Sequence, residues 1–237
     1  MLTSLSLASL AAVVHGFGTR RDDMAARFPG LWPLRAVQHE RHGTRIAVVA
    51  HAREDVGEAD GMITERPGVP LAIATADCVP VLLARRDGRA VAALHVGWRG
   101  ARGGIVARFA DLVRARGEGV GDWIAALGPA AHPCCYEVSE DLVADFRAHM
   151  ASYATALDPA ALDPDIVAPA PRRIDLPAIV RWQLGRIGIA GIDTSPACTM
   201  CACEADGRFT FHSYRRDRAT RTPVVDVHWS AIAIAPR

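Results

Sequence analysis

The strongest constraint on the fold is a predicted hairpin turn in the first half of the chain. Residues 79–84 and 90–96 are nearly continuous apolar runs, and Asp87 and Gly88 lie between them. An Asp-Gly pair between two hydrophobic runs is a strong signal for a two-residue turn, because both residues tolerate a positive φ. A turn at this position pairs the two runs as antiparallel strands.

The register of this hairpin predicts a meeting of two reactive side chains. With Asp87 and Gly88 as the loop, His95 lies opposite Pro80. Residues of a strand alternate between its two faces, so Cys78 shares a face with Pro80 and therefore with His95. Diagonal neighbours on one face are roughly 7 Å apart at the backbone. We therefore predict that the thiol and the imidazole converge, whereas a three-residue loop would put them on opposite faces.

A metal site can be built on this pair. A second imidazole, His39, precedes the hairpin in the sequence. One Cys and two His with an open fourth position commonly hold a catalytic zinc ion. Taken singly, a Cys or His on an apolar strand is more often an ordinary core residue. The predicted convergence, beside a glycine-rich segment that carries Arg99, favours a functional site. A metal-free dyad, with Cys78 as nucleophile and His95 as base, remains open.

Composition narrows the class of protein. The chain has 237 residues, half of them hydrophobic, so a single domain over 1–237 with a substantial core is expected. The net charge of +1 gives no indication of binding to nucleic acid or to an acidic membrane. All basic residues are Arg, so Schiff-base chemistry and a Walker-type phosphate loop are excluded. The absence of Asn excludes a Cys-His-Asn triad.

The apolar N-terminal stretch does not have the features of a targeting segment. No basic residue precedes Arg20, and the apolar run over 2–14 is too short to span a bilayer. We therefore expect a cytoplasmic protein whose cysteines are mostly reduced.

Apolar periodicity predicts a mixture of strands and helices. The strands are expected near 12–17, 45–51, 70–76, 79–85, 90–96, 122–127, 207–213 and 223–235. The helices are expected at about 101–116, after Ser139 and after Asp175, and the Pro- and Ala-rich segment 157–173 is typical of a loop. Strands occur both in hairpins and between helices, which favours an α+β fold over a doubly wound parallel one.

Several polar groups could bind an anionic substrate. The segment 97–104 combines four glycines with Arg99 and Arg102 at a predicted helix N-terminus, an arrangement suited to phosphate or carboxylate. Arg20 and the arginines after Tyr214 are further candidates. Asp60 is typical of a turn residue, and near a zinc site it could instead orient a ligand histidine. Asp77, next to Cys78, is a possible partner or acid.

The remaining cysteines are ambiguous. Cys198, Cys201 and Cys203 lie close together in the sequence, and a closed zinc site would also need Cys134 and Cys135. Because adjacent cysteines rarely both bind one ion well, free thiols or an incidental redox pair are favoured over a second metal site.

Together these motifs resemble the YfiH-like family, also called the laccase-domain or multicopper polyphenol oxidase family. The most specific elements are Thr-Ala-Asp-Cys at 75–78 and His-Val-Gly-Trp-Arg-Gly at 95–100. The resemblance implies a layered α/β/β/α fold with mixed sheets. It also implies a zinc ion bound by His39, Cys78 and His95, with copper as a possible replacement.

The resemblance further implies an enzyme. Its reaction would be purine nucleoside phosphorolysis, converting adenosine, inosine or methylthioadenosine with phosphate to base and ribose 1-phosphate, with adenosine deaminase activity as a companion. The residues expected to act in catalysis are Cys78, Asp77 and Arg99, and those expected to bind substrate are Arg20, Asp60 and Arg215. The expected partners are a small-molecule nucleoside and phosphate, without nucleic acid or membrane, in a monomer or small homo-oligomer.

Other functions remain open. One is a cysteine or zinc hydrolase that edits peptidoglycan precursors. Another is a copper-dependent polyphenol oxidase, although the nine His residues show none of the paired short motifs that a multicopper centre needs. A structural zinc ion in a binding module is the third.

Overall fold

A six-stranded mixed sheet carries the predicted hairpin at its centre. The computed structural model describes residues 1–157, 164–220 and 226–236. In spatial order the strands of this sheet are β10 (Gly191–Thr194), β9 (Trp123–Leu127), β7 (Val79–Arg85), β8 (Val91–Val96), β5 (Gly61–Thr64) and β3 (Ile46–Val48). The outer pairs are parallel and the inner pairs are antiparallel. The central strands β7 and β8 are buried along almost their whole length because both faces of this sheet are covered.

Within the described ranges, two smaller sheets accompany the large one. An antiparallel sheet has the order β1 (Val13–Phe17), β11 (His228–Ile234) and β6 (Leu71–Thr75). A parallel pair is formed by β2 (Val37–His39) and β4 (Asp55–Glu58).

Seven α-helices connect or cover the strands in the described part of the chain. They are α1 (Leu5–Ala8), α2 (Met24–Arg27), α3 (Trp98–Gly103), α4 (Ile105–Ala115), α5 (Glu140–Leu157), α6 (Pro164–Val167) and α7 (Leu176–Arg186). Short 3-10 helices occupy Trp32–Leu34 and Val120–Asp122. As predicted, α7 begins after Asp175, whose side chain accepts a hydrogen bond from the Ala178 N–H at 2.9 Å.

Among the described residues, the apolar side chains form three layers of core. The largest lies between one face of the six-stranded sheet and helices α4, α5 and α7, around Phe109, Phe146 and Leu184. The second fills the space between the two larger sheets. The third lies on the far side of the three-stranded sheet, where Met24 and Phe28 cover it. This order of helices, sheet, sheet and short helix confirms the layered α/β/β/α arrangement.

The hairpin register is confirmed. Pro80 pairs with His95, and Val79 pairs with Val96. The connection is longer than predicted, because the Arg85 N–H donates to the Ala90 carbonyl and residues 86–89 form the loop. The four-residue loop has the same midpoint, between Asp87 and Gly88, as the predicted two-residue loop, so the pairing of the strands is unchanged.

Three other predictions are corrected by the structure. The predicted helix over 101–116 is two helices, α3 and α4, which are separated at Gly104 with φ 86°. The predicted strand over 207–213 is absent from the described residues apart from a single bridge between Cys203 and Phe209. The Phe211 carbonyl there accepts a hydrogen bond from the Arg216 guanidinium at 2.8 Å, so a side chain takes the place of a neighbouring strand. The segment predicted as a loop over 157–173 contains α6.

The predicted strand over 223–235 begins at His228, and residues 221–225 lie outside the described part of the chain. Within the described ranges, no helix has the length and apolar character that crossing a membrane requires.

His15 makes the stability of this fold depend on pH. Its ring is fully buried in β1, and Nε2 accepts a hydrogen bond from the Ser4 N–H at 2.8 Å. Burial and the nearby Arg27 charge lower the pKa of His15 from 6.5 to about 4. Since the unfolded chain takes up this proton first, the free energy of unfolding is highest above pH 6.5 and falls as the pH drops toward 4.

Between pH 6.5 and pH 4, we expect the free energy of unfolding of the His15→Gln variant to fall by about 2 kcal/mol less than that of the wild type. Urea unfolding at several pH values measures the effect, with His51→Gln as the control because His51 is exposed. Equal pH slopes for wild type and His15→Gln would contradict the assignment.

Candidate functional site

Three side chains converge at the open end of the hairpin. His42, Cys78 and His95 each offer a ligand atom, and these atoms all lie within 4.8 Å of one another. The β7–β8 register brings Cys78 and His95 together, as predicted. The ring of His42 stands edge-on to that of His95, with centroids 4.8 Å apart. The three donors therefore form a candidate metal-binding site.

The third donor is His42 rather than His39. His39 is exposed at the end of β2, and its Nε2 lies 3.2 Å from the Asp55 carboxylate. The structure thus corrects the expectation that His39 joins Cys78 and His95. In the sequence, His42 follows in the same short polar segment and precedes Gly43, and this proximity was the signal available for it.

Asp60 holds two of the donors in place. Its buried carboxylate accepts hydrogen bonds from the backbone N–H groups of Arg41, His42 and Gly43 at 2.7 to 3.2 Å. It also lies 2.8 Å from Nδ1 of His95. Burial alone would raise the pKa of Asp60, but the hydrogen bonds from His95 and from these N–H groups outweigh it, and the pKa is lowered. Asp60 therefore stays ionised and leaves Nε2 of His95 free to bind a cation.

The backbone around the site is shaped for close approach. His42 adopts φ 59°, a left-handed conformation that the three N–H bonds to Asp60 stabilise. At Gly97, a Cβ would stand 2.8 Å from the His42 ring and 3.1 Å from the Cys78 sulfur. Only glycine leaves room here for the three donors.

The electrostatics of the cluster favour metal binding. Burial would raise the pKa of Cys78, but the neighbouring imidazoles of His95 and His42 outweigh it and lower the pKa to about 7. Conversely, the Cys78 thiolate and Asp60 raise the pKa of His95 against the effect of burial. A readily ionised thiol, two imidazoles and a carboxylate behind one imidazole fit a zinc ion with one open position.

The cluster lies in the wall of a cavity of about 440 Å³. Aromatic and cationic side chains also line this cavity. Arg99 stacks on the Trp98 ring at 4.4 Å, and Arg215 lies over the Tyr136 ring at 5.0 Å. Burial, followed by the Cys78 charge, raises the pKa of Tyr136 to about 12, so its hydroxyl keeps its proton at neutral pH. The cavity therefore offers a metal site, two guanidinium groups and flat apolar rings.

Asp77 lines this cavity, but its carboxylate already accepts hydrogen bonds from other residues of the chain. It accepts hydrogen bonds from the Thr199 hydroxyl at 2.7 Å, the Ser213 hydroxyl at 3.0 Å and the Arg215 N–H at 2.7 Å. Its φ of 89° is unusual for a residue other than glycine. These contacts indicate that Asp77 positions Cys78 and the Arg215 segment.

The remaining predicted residues are divided between the cavity and its surroundings. Arg99 and Arg215 line the cavity, whereas Asp60 lies behind the metal ligands. Arg20 is exposed, its N–H binds the Thr210 carbonyl, and it is not among the lining residues. Sequence reasoning did not propose Glu40, Tyr136 or Tyr214 as site residues, although all three line the cavity. For Tyr214 the available signal was its position next to Arg215.

Comparison with known proteins agrees with this architecture. Residues 20–229 match the family described as multi-copper polyphenol oxidoreductase laccase. YlmD from Geobacillus stearothermophilus has a TM-score of 0.76 and 25% identity, covering 98% of this chain and 94% of its own. The hypothetical protein YfiH of Bacillus licheniformis has a TM-score of 0.74 and 24% identity, covering 94% of this chain and 92% of its own.

Curated relatives carry the name of an enzyme. A purine nucleoside phosphorylase of Streptomyces coelicolor is 36% identical over 209 residues, which cover 86% of this chain and 79% of the relative. One from Mycobacterium tuberculosis is 34% identical over 180 residues, which cover 76% of this chain but only 66% of the relative. The match over 20–229, the shared fold and these relatives show that the chain belongs to the laccase-like YfiH family.

Proposed function

We propose that the protein is a zinc-dependent purine nucleoside phosphorylase acting on adenosine, inosine or methylthioadenosine. The observation that carries this proposal is the open cluster of His42, Cys78 and His95 in a cavity that Arg99 and Arg215 also line. A closed structural site would show four ligands, whereas a catalytic site keeps one position free. The names of the curated relatives support the choice of reaction.

Each part of the nucleoside and phosphate has a matching surface. The guanidinium groups of Arg99 and Arg215 supply charge-assisted hydrogen bonds for phosphate. The rings of Tyr136 and Tyr214 supply flat surface for a purine. In the reaction a phosphate oxygen bonds to C1′ of the ribose while the bond from C1′ to the purine nitrogen breaks. Held beside C1′, the phosphate reacts without the entropic cost of a separate encounter.

His42, Cys78 and His95 would hold the zinc ion. When bound, it supplies a Lewis acid that polarises a substrate group. Asp60 keeps the His95 ring oriented, and its three bonds to 41–43 keep His42 beside Cys78. The same site would account for deamination of adenosine, which we propose as the companion activity.

The test is phosphate-dependent release of a base. Purified protein of known metal content is incubated with inosine, with and without phosphate, and hypoxanthine and ribose 1-phosphate are followed by chromatography. We expect both products only when phosphate is present, loss of activity after chelation and recovery with zinc. Adenosine in place of inosine tests deamination. Absence of base release from zinc-loaded protein would overturn the proposal.

Replacing Arg99 tests the phosphate site. Arg99→Ala is expected to raise the KM for phosphate about 10- to 100-fold, because a hydrogen bond to a charged group contributes roughly 1.5–3 kcal/mol. The matched control is Arg108→Ala, since Arg108 is exposed on α4 and does not line the cavity. An unchanged KM for phosphate in Arg99→Ala would remove this residue from the phosphate site.

A second candidate follows from a specific contact. Cys78, His95 and Asp60 follow one another as thiol, imidazole and carboxylate, with Nδ1 of His95 2.8 Å from Asp60. This order is that of a cysteine hydrolase acting on an amide, with His95 as base and Asp60 as its orienting group. Amide hydrolysis that persists after full chelation, and is lost when Cys78 is alkylated, would favour this function over the first.

A further inference from the structure

A second cluster of thiols lies apart from the cavity. Cys134, Cys135, Cys198 and Cys201 offer sulfur atoms that all lie within 4.8 Å of one another. The sulfurs of Cys134 and Cys201 are 3.7 Å apart. A tetrahedral zinc site with Zn–S bonds of about 2.3 Å has sulfur–sulfur edges of about 3.8 Å. We propose that these four cysteines bind a structural zinc ion, and this proposal does not depend on the proposed enzymatic function.

The two segments that supply the sulfurs have the local form of zinc ligands. Cys198 and Cys201 are separated by two residues, the usual spacing in structural zinc sites. The sulfur of Cys198 is buried and accepts a hydrogen bond from the His132 N–H at 3.5 Å. N–H donors of this kind favour a thiolate, the form in which sulfur binds zinc.

The segment 132–136 is bent so that its two adjacent cysteines, Cys134 and Cys135, can both face one ion. Residues 132–136 form a tight turn in which the N–H groups of Cys135 and Tyr136 both donate to the His132 carbonyl, at 3.0 and 2.8 Å. In this turn both Cys134 and Cys135 reach the sulfurs of the second segment. The expectation of free thiols, based on sequence spacing, did not include this bend.

The four sulfurs would fill all four positions of a tetrahedral zinc ion, so no position would be open to a substrate. This four-thiolate composition differs from the three-donor cluster in the cavity, which keeps a position open. A fifth thiol nearby, that of Cys203, is exposed, lies outside the cluster and points toward the Cys201 carbonyl at 3.5 Å. It serves as a matched control.

A zinc ion here would fix one wall of the cavity. The segment 132–136 ends on Tyr136, which lines the cavity. The other segment carries Thr199, whose hydroxyl donates to Asp77 at 2.7 Å and whose carbonyl accepts from Arg216 at 2.9 Å. Linking the two segments through a metal would hold these contacts together, although 67 residues separate Cys134 from Cys201.

Metal content tests the proposal without any assay of activity. Protein purified under reducing conditions is expected to hold about two zinc ions per chain if both clusters are filled. Cys201→Ser should lose about one, and Cys203→Ser should lose none. In a Cys78→Ala background the remaining zinc should show about four sulfur neighbours near 2.3 Å by X-ray absorption spectroscopy.

The spectroscopic measurement needs only the Cys78→Ala chain, so it remains decisive if Cys201→Ser fails to fold. A Cys78→Ala chain without zinc would overturn the proposal, as would zinc with nitrogen or oxygen neighbours there. A disulfide between Cys134 and Cys201 in the reduced preparation, found by mass spectrometry, would also overturn it and favour a redox pair.

Discussion

Cys78→Ala is expected to lower the rate of phosphate-dependent base release about 10³-fold and to remove one metal ion from the cavity. A metal acting as a Lewis acid contributes several kcal/mol to a transition state, and each ~1.4 kcal/mol corresponds to a factor of ten. Cys78 is the thiol donor of the cluster, and His95 and His42 lower its pKa to about 7 against the effect of burial, so neither imidazole replaces its charge.

The control for this experiment is Cys203→Ser, because that thiol is exposed and lies in neither cluster. Base release by chromatography and metal content by mass spectrometry are measured on the same preparations, with circular dichroism to confirm folding. If Cys78→Ala released base at the wild-type rate, the cluster would have no part in the reaction. If it lost activity but kept all its metal, the thiol would act as a nucleophile.

Asp77→Ala is expected to lower the free energy of unfolding by about 3–4 kcal/mol. The carboxylate accepts three hydrogen bonds, from Thr199, Ser213 and Arg215, and two of these donors are buried hydroxyls. Leaving buried donors unsatisfied costs roughly 1–3 kcal/mol each, and partial relaxation reduces the sum. The alanine also retains the unfavourable φ of 89°.

Asp77→Gly separates the two contributions. Glycine loses the same hydrogen bonds but adopts φ 89° readily, so it should be more stable than Asp77→Ala by about 1 kcal/mol. Urea unfolding followed by fluorescence gives the three midpoints. We expect the order wild type, glycine, alanine. A glycine variant less stable than the alanine variant would show that backbone strain at this position is negligible.

Both predictions concern adjacent residues just before β7, but they test different properties. Cys78 contributes a donor to the cavity, whereas Asp77 connects the 198–201 and 213–215 segments to the strand. Because the Arg215 N–H binds Asp77, loss of this carboxylate should also displace the Arg215 guanidinium from the cavity. The effect on the site is therefore indirect, through position.

The central hairpin, its register and the meeting of Cys78 with His95 could all be predicted from the amino-acid sequence. These follow from the apolar runs, the Asp-Gly turn and the two-residue period of a strand, all of which act over a few residues. The helix that begins after Asp175 was equally predictable, since its cap and apolar face are local. The layered arrangement followed from the family resemblance, because strand order depends on contacts distant in sequence.

The identity of the histidine that completes the cluster could not be predicted in this way, because it depends on contacts between distant parts of the chain. His42 has no periodic pattern around it, and its left-handed φ is held by a carboxylate 18 residues further on. The four-cysteine cluster could not be predicted from local sequence either, because Cys134 and Cys201 lie 67 residues apart and meet only in the folded chain. Local sequence patterns predict strands, helices and the register of a hairpin. The loops that bring metal ligands together are held by long-range hydrogen bonds, which residue spacing in the sequence does not indicate.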